Sequence, residues 1–337
     1  MTFRSFTTSL LCVSVAAIAV WAQDPADAAK KKRTKRPPPP GVSAPGVKRE
    51  MTTITPVAVF DTGGTPDWQV VTEDAVWVAN GPKNQIHRLD IKTNKIAADI
   101  TVGTKPCSGL TAGFGSIWVP NCGDKTVSRV DIKTNTITAT IPTTIADSEG
   151  LLAASPEAVW LLSDKAGKLA RIDPKTNTVT ATIDVAPGSV SAYYGDGAIW
   201  VASPEKSVVN RVDPKTNKVT DEIPVGPGPR FITFGAGALW TLNQGDGTLS
   251  RVDSKTRKVT ATIEAGIPGT GGEIAFGNGH VWATIFQIPI TEIDPATNTV
   301  VRQWTGDGGD SIRVAHGSVW LSNLRAHNVW RIDPSKF

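Results

Sequence analysis

Asp67, Glu149, Glu273 and Asp310 stand at the entry to the inner strand in four of the seven copies of a repeated sequence unit, and Arg230 stands there in a fifth. Carboxylates that converge could bind Mg2+ or Ca2+ through oxygen ligands or act as general acids and bases. An arginine among them could pair with a carboxylate or with an anionic part of a ligand. Trp68 and Phe231 follow two of these residues, and Phe286 stands where other copies carry Asn or Ser. Charge beside apolar walls is the composition of a ligand cleft. Histidine is scarce: of four residues, His280 and His316 fall in turns on the opposite side of the unit, and His87 lies inside a strand. Only His327 could reach the same side, where it could share acid-base work with Glu273. Neither a haem-attachment motif, a phosphate-binding glycine loop, a zinc motif nor a Ser/His/Asp order is present.

These positions are meaningful because the sequence repeats. Trp77, Trp118, Trp160, Trp200, Trp240, Trp282 and Trp320 each follow Val, Ile or Leu, and an aspartate follows each, from Asp90 to Asp333. Between the tryptophans, Val, Ile and Thr alternate with polar residues, and Gly, Asn and Asp punctuate the runs. That is the pattern of short antiparallel strands. Seven units of about 41 residues with four strands each predict an all-β, seven-bladed β-propeller. The last unit ends at Phe337, before its fourth strand, and Thr53–Phe60 precedes the first unit's inner strand. The N-terminal strand is therefore expected to complete the last blade and close the ring. A length of 337 residues would by itself suggest roughly two domains; the repeat predicts one, over 51–337.

The recurring residues read as scaffold. The tryptophans are expected between blades, and an arginine two residues before the aspartate in six units is expected to pair with it or to satisfy turn amides. Asp-Pro-Lys-Thr-Asn, as at Asp173–Asn177, has the composition of a tight turn. Departures from the repeat are better guides to function. The sixth unit has three: Ile285-Phe286, Glu292 in place of arginine, and a long glycine-rich loop, Gly266–Gly272. Cys107 and Cys122 lie symmetrically about the turn at Gly113–Ser116, which sets them opposite each other and predicts a disulfide.

The first 50 residues differ from the rest. Arg4, the apolar run Leu10–Val20 and Val20-Trp21-Ala22 read as a secretory signal over 1–22. Residues 23–50 form a basic, proline-rich arm, expected to be disordered, with Lys30–Arg36 before Pro37–Pro40. Nine basic and three acidic residues among the first 50 leave 26 basic and 28 acidic for the remainder, so the overall charge of +4 belongs to the leader and arm. The chain is therefore expected to be exported, periplasmic or extracellular, and monomeric. No nucleic-acid role and no membrane span are expected after signal cleavage, and the arm could tether it to an anionic envelope surface.

Trp77-Val78-Ala79-Asn80, Arg88-Leu89-Asp90 and Lys92-Thr93-Asn94-Lys95, with their six counterparts, resemble the YVTN-type propeller repeats of secreted bacterial and archaeal proteins. They are also similar to the wider group that includes the virginiamycin B (streptogramin B) lyases. That resemblance covers nearly all of 53–337 and implies the propeller fold. For the lyases it implies histidine and glutamate around a magnesium ion, in blades reading Trp-Phe-Thr-Glu. Here no Glu follows any of the seven tryptophans in that way. Two functions follow: an exported binding protein taking a ligand or protein partner at the channel mouth, or a metal-assisted lyase or lactone hydrolase acting on a cyclic ester there.

Overall fold

The computed structural model describes Val42 and residues 44–337; the expected signal segment and the basic run Lys30–Arg36 lie outside them. The described residues form seven sheets, six of them built on four consecutive antiparallel strands. In blade one the strands are Pro66–Val71, Ala75–Asn80, Gln85–Asp90 and Lys95–Thr101, from the inside outward. The second strand of each blade is the most buried: Ala75–Asn80, Ser116–Asn121 and Ala198–Ser203 are buried at every position. It has a sheet neighbour on either side and a neighbouring blade over each face, so both its alternating sets of side chains are covered.

Ring closure follows the expected scheme. Ala58–Asp61 pairs antiparallel with Asn328–Ile332, in the register Ala58 to Arg331 and Asp61 to Asn328, as the fourth strand of blade seven. Phe60 is 2% exposed and packs on Trp320 with ring centroids 5.7 Å apart. The expected boundary at residue 50 needs a correction. Val47 is buried, and Lys48–Glu50 pairs in parallel with the outer strand Thr299–Thr305 as a fifth strand of blade six. The amide of Gln303 donates to the Val47 carbonyl at 2.8 Å. The outer edge of blade six offered unpaired backbone groups, and the end of the arm satisfies them.

The seven repeated tryptophans are at most 1% exposed. Each indole N–H finds an acceptor five residues earlier: the carbonyl of Gly113, Gly195, Gly235, Gly277 or Ala315, and a hydroxyl at Thr72 and Ser155. The repeated arginine does not chiefly serve its aspartate. It lies across the sheet from the tryptophan of its own blade, with guanidinium-to-ring distances of 4.9–5.8 Å in six blades. In blades two, five and seven it also reaches the next blade's turn. Arg331 donates to the Ile91 carbonyl at 2.5 Å and to Asn94 at 2.7 Å, joining blade seven to blade one. The aspartate accepts its own turn's amides instead, as Asp90 does from Lys92 and Thr93, and those bonds hold its carboxyl below the usual range. In blade six Glu292 takes the arginine's place and binds Arg302 at 2.5 Å.

Candidate ligand site at the channel mouth

The inner strands converge, and the loops before them share one face with the loops leaving the second strands. On that face a cavity of about 670 Å3 lies over blades one to three, lined among others by Asp67, Asn84, Lys105, Ser108, Asp147 and Glu149, with Arg230 reaching in from blade five. Arg230 pairs with Glu149 at 3.0 Å, and both side chains are about one third exposed, so both are open to a ligand.

Asp67 and Asp310 form a second acidic feature. Ser108 Oγ donates to Asp67, the Gly272 amide lies 3.4 Å from Asp310, and the two carboxyls are hydrogen-bonded to each other. Burial and the facing carboxylate push Asp310 up to about 9, and burial with the Glu149 charge pushes Asp67 up to about 6. Like charges this close cannot both ionise cheaply, so the pair shares a proton at neutral pH.

Glu273 is turned away from the mouth. It is 1% exposed, accepts from Ser311 Oγ at 2.5 Å and from the Ile312 amide at 3.2 Å, and pairs with Arg313. Burial outweighs these partners and raises its carboxyl to about 7. Arg313 in turn lies over Trp68 at 5.0 Å, Trp68 meets Phe231 at 5.8 Å, and Arg230 lies over Phe231 at 5.4 Å. Glu273, Arg313, Trp68, Phe231, Arg230 and Glu149 thus form one chain from blade six through blades seven, one and five to blade three. Trp68 also reaches Gly150, where an added Cβ would stand 3.1 Å from the indole. The aromatic pair bridges blades one and five across the centre of the ring.

The structure brings Asp67, Glu149, Arg230 and Asp310 together at the mouth and sets Trp68 and Phe231 below them. It places Phe286 elsewhere, over Gly271 and under Arg325, in a separate cavity between blades six and seven. His327 donates to the Gly64 carbonyl and shares no contact with Glu273, so the expected acid-base couple is not assembled. Asn80, at the Asn/Ser position that Ile285-Phe286 replaces in blade six, is a loop tie: it is fully buried, donates to the Gly63 carbonyl and accepts from the Thr65 amide. Sequence reasoning missed Arg313 and Ser108. A charged residue inside the inner strand, Ser311-Ile312-Arg313-Val314, was the available signal for the first.

The magnesium ion implied by the lyase resemblance does not fit these residues. Glu273 is neutralised by Arg313, Glu149 by Arg230, and Asp67 and Asp310 share a proton. Among the described residues no group of three or more His, Cys, Asp and Glu is arranged to hold a metal ion.

Cys107 and Cys122 form the expected disulfide, with Cα atoms 5.5 Å apart. It fixes the loop that carries Lys105, Pro106 and Ser108 along the cavity wall. Cys107→Ser with Cys122→Ser is expected to cost about 3 kcal/mol for a loop this size, measured by urea denaturation. An unchanged midpoint would show that the loop is held without it.

Three solved propeller structures superimpose over most of their length. Virginiamycin B lyase from Staphylococcus aureus matches at TM-score 0.69 and 18% identity, covering 81% of this chain and 95% of that one. The fold is that of the virginiamycin B lyases. A streptogramin B lyase matches at TM-score 0.66 and 21% identity, over 80% of this chain and 93% of that one. A catalytically inactive histidine-to-alanine variant of the Staphylococcus aureus virginiamycin B lyase, with quinupristin, matches at 0.70 and 16%, over 83% and 98%. No family model and no curated protein matches the sequence. The likeness to the virginiamycin B lyases is thus one of architecture.

Proposed function

We propose that this propeller is an exported binding protein that takes a polar ligand at its mouth. The observation that carries this reading is the cavity lined by Asp67, Glu149 and Arg230, with the Arg230–Glu149 pair open in its wall. An open cavity of this volume with charged and hydroxyl groups in its lining suits a small hydrogen-bonding ligand or the tip of a protein loop. The disulfide fits an oxidising compartment, and no helix among the described residues is long and apolar enough to cross a membrane. In this reading the basic arm tethers the propeller to an anionic envelope surface.

Native mass spectrometry of the full chain, after incubation with an envelope extract, tests the proposal. Wild type is expected to retain a ligand that Glu149→Gln/Arg230→Gln loses. Equal recovery from both would sink the mouth as the site.

The fold likeness favours one second reading, opening of a cyclic ester at the same face. Incubation with quinupristin, followed by mass spectrometry for ring opening, decides it. Turnover abolished by Asp67→Asn would support a lyase, and no turnover would leave binding as the sole reading.

A further inference from the structure

We propose that the cavity between blades six and seven is a second, independent ligand site, and that it takes an apolar monocarboxylate whose carboxylate is read by Arg325. This cavity, of about 700 Å3, is walled by Met51, Ile54, Phe286 and Trp330, with Arg325 at its side. It gathers what the repeat does not explain. Phe286 is a departure from the Asn/Ser position, the loop Thr305–Gly308 is glycine-rich, and Met51 and Ile54 come from the segment that follows the extra strand Lys48–Glu50.

Arg325 points to the ligand's charge. Its guanidinium lies 4.9 Å from the Phe286 ring, and it has no hydrogen-bond or ion-pair partner among the described residues. A stacked guanidinium keeps its planar fork of donors and has little freedom left to lose, so it suits carboxylate recognition. Gly271 lies against the Phe286 ring, where an added Cβ would stand 2.3 Å from it, so the ring fits only beside a glycine. Gly306 and Gly308 hold the opposite loop in left-handed conformations, φ 129° and 125°, and at Gly308 a Cβ would stand 2.7 Å from Asn323. Larger residues there would push this wall out of place. Glu50 and Asp307 also line the cavity. Any negative charge on a ligand beyond the one that Arg325 pairs would meet their repulsion, which disfavours a dianion.

The test uses 3-phenylpropionate and 3-phenylpropylamine on the full chain, followed by ligand-observed NMR titration. Saturable binding of the carboxylate is expected, weakened at least about tenfold by Arg325→Gln, which removes one charge-assisted contact. Phe286→Leu should weaken it several-fold, and Arg230→Gln at the mouth should leave it unchanged. The amine should bind at least about tenfold more weakly than the acid. Arg325 is exposed, so Arg325→Gln is expected to fold, with an unchanged unfolding midpoint as the check. The proposal is overturned if the acid shows no saturation up to about 20 mM, if the amine binds equally well, or if Arg230→Gln and not Arg325→Gln abolishes binding. Because the mouth variants are separate, failure here leaves the mouth reading standing, and the reverse.

Discussion

Trp68→Ala is expected to lower the unfolding free energy by about 3 kcal/mol. The indole is the shared partner of Arg313, Phe231 and Gly150, which belong to blades seven, five and three. Seven sheets locked by buried tryptophans cannot close over the space that the ring leaves, so the lost contacts are not replaced. Arg313 would also lose the ring that holds it beside Glu273. Urea denaturation measures the loss, and Trp68→Phe should recover part of it. A change below about 1 kcal/mol would mean that the ring does not join the blades. Ligand retention at the mouth should weaken in parallel, since Arg230 rests on the Phe231 that Trp68 supports.

Stability is expected to fall as pH rises from about 5 to about 9, the reverse of the trend set by salt-bridged carboxylates. Asp310 is raised from 3.8 to about 9, Asp67 from 3.8 to about 6, and Glu273 from 4.5 to about 7. A raised folded-state value means that the folded chain binds more protons than the unfolded chain across that window. The contribution is complete below the unfolded values and is lost as pH climbs through the folded ones. The turn aspartates act oppositely. Asp90, Asp131 and Asp253 are held low by backbone amides, so what they contribute disappears in acid. The optimum should therefore lie near pH 5. Calorimetric Tm values at several pH points check this, with Asp310→Asn as the decisive variant. Asparagine keeps a donor toward Asp67 and removes the like charge, so the variant should exceed wild type at pH 9 and match it near pH 5. Equal wild-type Tm at both ends would refute the shared proton.

The fold was legible because it is written seven times. Each Trp, Arg, Asp and Asn recurs in phase, and strand alternation needs only local sequence to be seen. The Cys107–Cys122 bond was legible for the same reason, since both residues flank one hairpin at equal distance. The site was legible only in its membership. Asp67, Glu149, Arg230 and Asp310 stand at repeat positions whose strands converge, but their spacing could not show which would pair. Glu273 stands one residue further along its inner strand than Asp310 does, in register with Ser311, so strand alternation turns it to the other side, where Arg313 of the next blade pairs with it. Phe286 looked like a wall of the mouth and belongs to another cavity, because its loop leans toward Arg325 and the N-terminal segment.

The sequence by itself determined the blade count, the closing strand, the turns and the disulfide, because these follow from periodicity and from contacts within a blade or across one junction. Only the tertiary structure decided the chemistry of the mouth. Protonation of the Asp67–Asp310 pair, neutralisation of Glu273 and Glu149, and the Trp68–Phe231 contact across the ring all arise between blades far apart in the chain. Those contacts depend on distances of a few ångströms and on burial, which a repeat pattern does not encode.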